Sequence, residues 1–395
     1  MEQLTIPKVT YEEYKWEGEI PYDFMNQKDR KMALKPYKAA IVPEIADLDL
    51  ALNRENQDLI LEAVESLARF DALLSQKAII IPPVLLRSES ASSSQIENLT
   101  ASAKNIAIAS IGGKTKDNAA LISDNITAME FAISESKQLN LYTVTFLNEL
   151  LLRRTFGDQA GLVRNRPVWI GKSYSLPQTA EYVPPHYSRV FPALEDWVKF
   201  ANREDLHPLF SAAVAHAQFE NIHPFIDGNG RTGRALIQVM LKRGGVLRHS
   251  TFPVSAGLLH DLPGYIAALS AYREGDFQSI VSRLCQSVLS ATLPCAELVT
   301  KIEQALILWS DQVHPRKDSV LERLLPLLFV QPVVDAKYVS ETLEMSDAGA
   351  RRLIKQLVDA QILRPIKDQK RNVLYEAPLA TGLIDGFAQG FQLRS

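Results

Sequence analysis

His223-Pro-Phe-Ile-Asp-Gly-Asn-Gly-Arg-Thr-Gly-Arg234 lies between two stretches of helical periodicity, and its twelve residues hold one base, one acid, three glycines and two arginines. Before it, LHPLFSAAVAHAQFENI (206 to 222) turns Leu209, Phe210, Ala213, Val214 and Ala217 to one face. Pro224 biases His223 out of the helical region, so this helix ends near Ile222. A second helix starts around Arg231 and runs to the Gly244-Gly245 stop.

Gly228-Asn229-Gly230 immediately before a helix can aim successive backbone N–H groups at one point, where the helix start adds partial positive charge. Such a loop holds phosphate. Arg231 and Arg234, three apart on the first turn, share a face and can grip further phosphate oxygens, which implies a polyphosphate. Asp227 is an oxygen ligand of the kind Mg²⁺ takes alongside substrate phosphates, so the ligand reads as a metal-nucleotide. Histidine ordinarily titrates close to neutral pH, so a residue of this type at 223 can take a proton from an attacking hydroxyl. The loop lacks the Lys-Ser/Thr ending of a P-loop, and no strand precedes it as the dinucleotide fingerprint requires.

Outward of this centre the helix pattern covers about 124 to 290. It is broken once by RNRPVWIGKSYSLPQTAEYVPP (164 to 185), where β-formers flank a Gly-Lys-Ser turn and predict a hairpin. ALNRENQDLILEAVESLARFDALLS (51 to 75) is an amphipathic helix, and residues 1 to about 40 read as an irregular arm rich in Tyr, Lys and Pro. SESASSSQIEN (88 to 98) has a linker composition, although Ala91, Ile96 and Leu99 allow a helix after a serine cap. At the far end, LERLLPLLF (321 to 329), AKYVSETLE (336 to 344) and SDAGARRLIKQLVDAQ (346 to 361) predict three helices. ILRPIKDQKRNVLYEA then predicts a hairpin with a basic tip, KDQK. The turn at Met345-Ser346 has helix-turn-helix spacing, which makes this a winged helix.

The chain has 395 residues, 43 Lys and Arg against 46 Asp and Glu, and a net charge of −3, so it cannot coat nucleic acid or anionic membrane through its overall field. From Pro315 onward, 12 Lys and Arg face 10 Asp and Glu, a small basic excess. Cys285 and Cys295 form neither a metal spacing nor a disulfide framework. With no secretory signal at the start and no apolar run long enough to span a bilayer, the expected setting is the cytoplasm.

HPFIDGNGRTGR meets all eight specified positions of HxFx(D/E)GNGRxxR, and the chain thereby resembles the Fic family of protein adenylyltransferases. The likeness extends through AHAQFENIHPF, the VWIG and AEYVPP arms of the hairpin, and YIAALSAYREGD (265 to 276). It implies a mainly α-helical Fic fold with one β-hairpin flap: an N-terminal helical segment (1–123), the catalytic core (124–300) and a C-terminal winged-helix module (301–395). It implies transfer of AMP from ATP, with Mg²⁺, to a Ser, Thr or Tyr hydroxyl of a protein target or of the chain itself. In that reading His223 is the base and Asp227 holds Mg²⁺. Gly228, Asn229 and Gly230 grip the α-phosphate region, while Arg231 and Arg234, with Thr232 and Gly233 between them, bind the β- and γ-phosphates. Gly230 argues against the phosphate-transferring branch, which carries a bulkier residue there.

Ser93-Ser-Gln-Ile-Glu97-Asn98 fits the (S/T)xxxE(G/N) pattern of family members with an N-terminal inhibitory helix, placed here at about 92–100. The resemblance implies that Glu97 pairs with Arg234 and blocks productive ATP binding. It places target docking on the flap, at Val168, Trp169, Ile170 and Gly171 and at Ala180, Glu181, Tyr182 and Val183. It puts Tyr265 and Leu269 in an adenine pocket, beside Arg273 where some relatives carry an asparagine. Family habit adds a homodimer. Two alternatives stay open: removal of AMP by the same site, and a nucleotide-sensing regulator that binds DNA through Arg351, Arg352 and Lys355; the C-terminal module reads equally as a protein-interaction and dimerisation piece of the same fold. His216 is expected to pack rather than react.

Overall fold

The computed structural model describes residues 3–16, 27–75, 81–115, 118–134, 138–171, 176–248, 251–366 and 373–391. In chain order the elements are β1 (Thr10–Tyr14), α1 (Gln27–Ala33), β2 (Tyr37–Ile41), α2 (Arg54–Ser75), α3 (Ile81–Ile96), α4 (Ala103–Ser110), α5 (Ala119–Ser134) and α6 (Leu141–Phe156). They continue with α7 (Tyr187–Ala201), α8 (Pro208–Ile222), α9 (Asn229–Arg243), α10 (Val254–His260), α11 (Leu262–Arg273) and α12 (Gln278–Val313). The last are α13 (Val320–Val330), β3 (Val333–Val334), α14 (Ala336–Thr342), α15 (Asp347–Asp359), β4 (Arg364–Pro365), β5 (Tyr375–Glu376) and α16 (Pro378–Gly390). Among the described residues, no helix is long and apolar enough to cross a membrane.

Two compact units emerge, Met1–Leu61 with Phe131–Gly244 and Pro263–Cys285, and Glu62–Glu130 with Gly245–Leu262 and Gln286–Ser395. The expected boundaries at 123 and 300 lie within α5 and α12, and the limits of the two units at 61, 130 and 285 likewise cut α2, α5 and α12.

In the first unit α8 is the central rod. His207 caps it by accepting from Leu209 N–H at 3.2 Å, Pro208 takes a first-turn position where its missing donor costs nothing, and an Ala-rich run follows. Residues Leu209 through Phe219 are all buried, as a helix with neighbours on every side requires. Trp197 of α7 donates its indole N–H to the Ala215 carbonyl at 2.7 Å, and its ring lies 5.5 Å from Phe219. Within the arm expected to be irregular, β1 and β2 pair antiparallel, Thr10 opposite Ile41 and Tyr14 opposite Tyr37.

In the second unit α3 carries the serine run. It starts at Ile81, upstream of the serines, and ends at Ile96, so the stretch is helix rather than linker but its last residues, Glu97 to Thr100, lie beyond the helix. The C-terminal elements follow the order helix, strand, helix, helix, strand, strand, with β3, β5 and β4 side by side and antiparallel. Ser319, Asp335 and Ser346 cap α13, α14 and α15. The basic tip KDQK falls outside the described residues. Glu376 of β5 anchors the sheet, 3.0 Å from both Lys104 and Arg364; burial opposes its charge, yet these partners and Thr381 hold its pKa below the ordinary value.

Candidate active site

The α8 helix ends at His223, whose left-handed conformation (φ 50°, ψ 61°) lets the chain leave the helix before Pro224. Its Nδ1 lies 3.3 Å from the Glu220 carbonyl oxygen, which an Nδ1–H tautomer satisfies while Nε2 keeps its lone pair. The loop that follows is closed by Asn229, whose side chain accepts from Phe225 N–H and donates to Phe225 C=O, both at 2.9 Å. Gly228 is left-handed at φ 74°, and a Cβ there would lie 3.1 Å from Asn148 Nδ2, so the position favours glycine twice over. The α9 helix begins at the next residue.

Asn148 of α6 organises the loop from below, donating to the Asp227 carbonyl at 3.0 Å and to Thr232 Oγ1 at 3.3 Å, and accepting from Gly161 N–H at 3.2 Å. Asp227 Oδ1 accepts from Gly228 N–H at 2.6 Å and lies 3.9 Å from Arg231 Nη2, while half of the side chain meets solvent. Arg231 and Arg234 are 3% and 2% exposed, so both guanidinium groups sit in low-dielectric surroundings, where an anion that reached them would be attracted strongly. Among the described residues no group of three His, Cys, Asp or Glu could hold an ion. A metal at Asp227 would therefore rest on one carboxylate and substrate oxygens, a donor set that suits Mg²⁺.

Some expected phosphate residues face elsewhere. Thr232 is fully buried against α6, and a Cβ on Gly233 would come within 3.2 Å of His216, Phe219 and Glu220, so these two serve the close packing of α9. Tyr265 and Leu269, the expected adenine contacts, are buried. The Tyr265 hydroxyl pairs with His216 Nε2 at 2.7 Å and the two rings stack. Burial, aided by nearby Arg234, pushes the His216 pKa down to about 3. Arg273 donates to Asn221 Oδ1 at 2.8 Å and lies 3.9 Å above the Tyr182 ring, a strut rather than a base contact.

Among the described residues the expected hairpin shows one antiparallel bridge, Ile170 with Tyr182, and Pro167, Pro177, Pro184 and Pro185 remove donors on both arms. Its turn residues 172–175 fall outside the described residues. Gly171 (φ 126°) leaves no room for a side chain, since a Cβ would lie 2.7 Å from that of Glu181. The second arm is taken by β2, with Ala40 N–H donating to Val183 C=O at 2.9 Å, and Ala180, Val183 and Trp169 pack with Tyr37 and Ala39.

Sequence reasoning missed Arg164. It is 3% exposed, and its side chain donates to the carbonyls of His223 (2.7 Å), Pro185 (2.6 Å), Ile222 and Arg166 (both 3.3 Å), while its own N–H donates to Pro224. Burial lowers its pKa to about 10, which still leaves it charged at neutral pH. An isolated arginine ahead of a hairpin gives no sequence signal of such a role.

Residues 138–241 match the Fic/DOC family. The chain is 28% identical over 167 residues to protein adenylyltransferase Fic of Nematostella vectensis, covering 41% of this chain and 36% of that protein. It is 27% identical over 177 residues to protein adenylyltransferase fic-1 of Caenorhabditis elegans, covering 44% and 32%. The match thus spans about a third of the length of these relatives. A crystal structure of a Fic family protein from Desulfovibrio desulfuricans G20 covers 85% of this chain and 98% of its own, with a TM-score of 0.55 at 19% identity, a likeness of fold.

Proposed function

We propose that this chain, which carries a Fic domain across residues 138–241, is a cytoplasmic protein adenylyltransferase that moves AMP from Mg-ATP to a hydroxyl of a protein target or of itself, with Glu97 as its brake. The observation that carries the reading is the alignment of a histidine at the end of α8 with a left-handed glycine, a helix start and two buried arginines. His223 Nε2 takes the proton as the hydroxyl oxygen bonds to the α-phosphorus. The bond from that phosphorus to the bridging oxygen breaks, and pyrophosphate leaves with the electron pair. Arg231 and Arg234 hold the charge that develops on the leaving phosphates. Asp227 would hold Mg²⁺, which neutralises phosphate charge when bound.

Incubation with ATP labelled at the α- or the γ-phosphate tests this. Label on protein from the α position only, absent in His223→Ala while ATP still binds, is the expected result. Label from γ would move the protein to phosphate transfer. A second role at the C-terminus is supported by α15, which leaves Arg351, Arg352 and Lys355 exposed; in the winged-helix reading this is the helix that would enter a DNA groove. Binding to duplex DNA that weakens steeply with salt checks it.

A further inference from the structure

A groove of about 840 Å³ opens beside the motif, lined by Ile226 of the glycine loop and by Val168 and Trp169 of the flap. The rest of its lining includes a continuous run of rings. Tyr187 meets His186 with centroids 3.9 Å apart, His186 stacks on Tyr14 at 4.0 Å, and Tyr14 lies 5.9 Å from Tyr37. Tyr37 then meets Trp16 edge-on at 6.1 Å, and Trp16 meets Trp169 at 5.7 Å. The rings hold each other in place before any ligand arrives, so little entropy is lost when a side chain lies on them.

Among the described residues, the charges that line this groove have one sign. Lys15 and Arg166 line the groove and are exposed, and among the described residues no Asp or Glu lines it. The neighbouring carboxylate of Glu12 is already held by Arg189, which donates to Glu12 Oε2 at 2.8 Å and keeps the Glu12 pKa below its ordinary value. Two cations are too few to hold a nucleic-acid backbone, but they suit one or two carboxylates beside an apolar contact.

We infer that this groove receives an extended, acidic segment of the protein being modified, its apolar or proline side chains on the rings and its carboxylates against Lys15 and Arg166. The identity of the occupant as substrate rests on the adenylyltransferase reading; the chemistry of the groove does not. Extended backbone beside the Val168–Gly171 arm brings a hydroxyl carried by that segment toward the motif, and the flanking charges set which proteins are chosen.

The test uses the full chain and two synthetic peptides built on one Leu-Thr-Pro core, one flanked by Glu and one by Lys, with binding read from tryptophan fluorescence in the absence of ATP. The Glu peptide is expected to bind roughly tenfold more tightly, with the gap narrowing at high salt. In the exposed-site double variant Lys15→Glu/Arg166→Glu the order of the two peptides is expected to reverse, a result that loss of folding cannot mimic. Equal binding of both peptides, a preference unchanged in the double variant, or displacement by single-stranded oligonucleotide in place of peptide would each overturn the inference. Preserved peptide preference with no AMP transfer would instead count against the transferase reading and leave the acidic-segment groove standing.

Discussion

Arg164 fixes the one strained dihedral on which the proposed chemistry depends. His223 is left-handed, a conformation unfavourable for a side chain with a Cβ, and the guanidinium on its carbonyl and on that of Ile222 holds it there. The same group ties Pro185 and Arg166 at the two ends of the flap, so it fixes His223, the proposed base, relative to the flap. Arg164→Lys keeps the charge but not the fork of donors, and it is expected to lower kcat about a hundredfold with the KM for ATP little changed. A purely structural role would show instead as a lower melting temperature with kcat intact. His216 makes a second prediction through pH. Burial holds its folded pKa near 3 against an ordinary 6.5, so between those values the unfolded chain binds a proton that the folded chain does not. Its contribution to stability is therefore complete above pH 6.5 and erodes as the pH falls toward 3, by on the order of 1.4 kcal/mol per pH unit. Urea melts at stepped pH measure this, and His216→Gln should flatten the slope across that window.

Gly257 shows how tightly elements approach in the second unit. A Cβ on it would lie 2.0 Å from the Ser287 carbonyl oxygen, so α10 and α12 meet backbone to backbone there, and Glu89 of α3 caps α10 through Ser255 N–H and Oγ. Gly257→Ala improves helix propensity by about 1 kcal/mol, yet the clash with main chain is expected to dominate and lower stability by roughly 2 kcal/mol or more in chemical denaturation. No sequence pattern reveals that contact, because the glycine reads only as a poor helix former. The same limit explains the arm at the start. TYEEY and YKAAI become β1 and β2 by pairing with each other across 22 intervening residues, a non-local gain that a window of periodicity cannot see. Elements whose signal is local were legible. Pro224 ended α8 and Gly244-Gly245 ended α9 where expected, and the motif between them announced a base, an acid and an anion cradle. What the motif could not tell is which of its side chains turn inward; Asn229 and Thr232 look like ligand residues and are spent on Phe225 and Asn148. The α16 helix went unread because APLATGLIDGFAQG holds three glycines.

For the whole chain, the decisive quantity is the fraction of molecules able to hold ATP productively, and Glu97 is the residue proposed to set it. It stands half-buried in the turn after α3, where Asn98 takes a left-handed conformation (φ 61°) and Leu99 N–H returns to the Ser94 carbonyl at 3.0 Å, so the helix end is firmly built. The serines behind it are buried rather than solvated. Ser90 and Ser94 bind Asn125 of α5 through a carbonyl at 2.8 Å and a hydroxyl at 3.1 Å, which fixes α3 in its own unit. A brake mounted on so rigid a support acts through its carboxylate alone, and one charge-assisted hydrogen bond contributes about 1.5 to 3 kcal/mol. Removing it in Glu97→Gly should raise α-label incorporation roughly 10- to 150-fold. The melting temperature should fall by about a few degrees, as the loss of one bond of that size from the resting state implies. The double variant with His223→Ala should incorporate nothing, which separates relief of the brake from a new reaction. Equal labelling in wild type and Glu97→Gly would leave the serine helix a packing element and the proposed activity without an internal restraint.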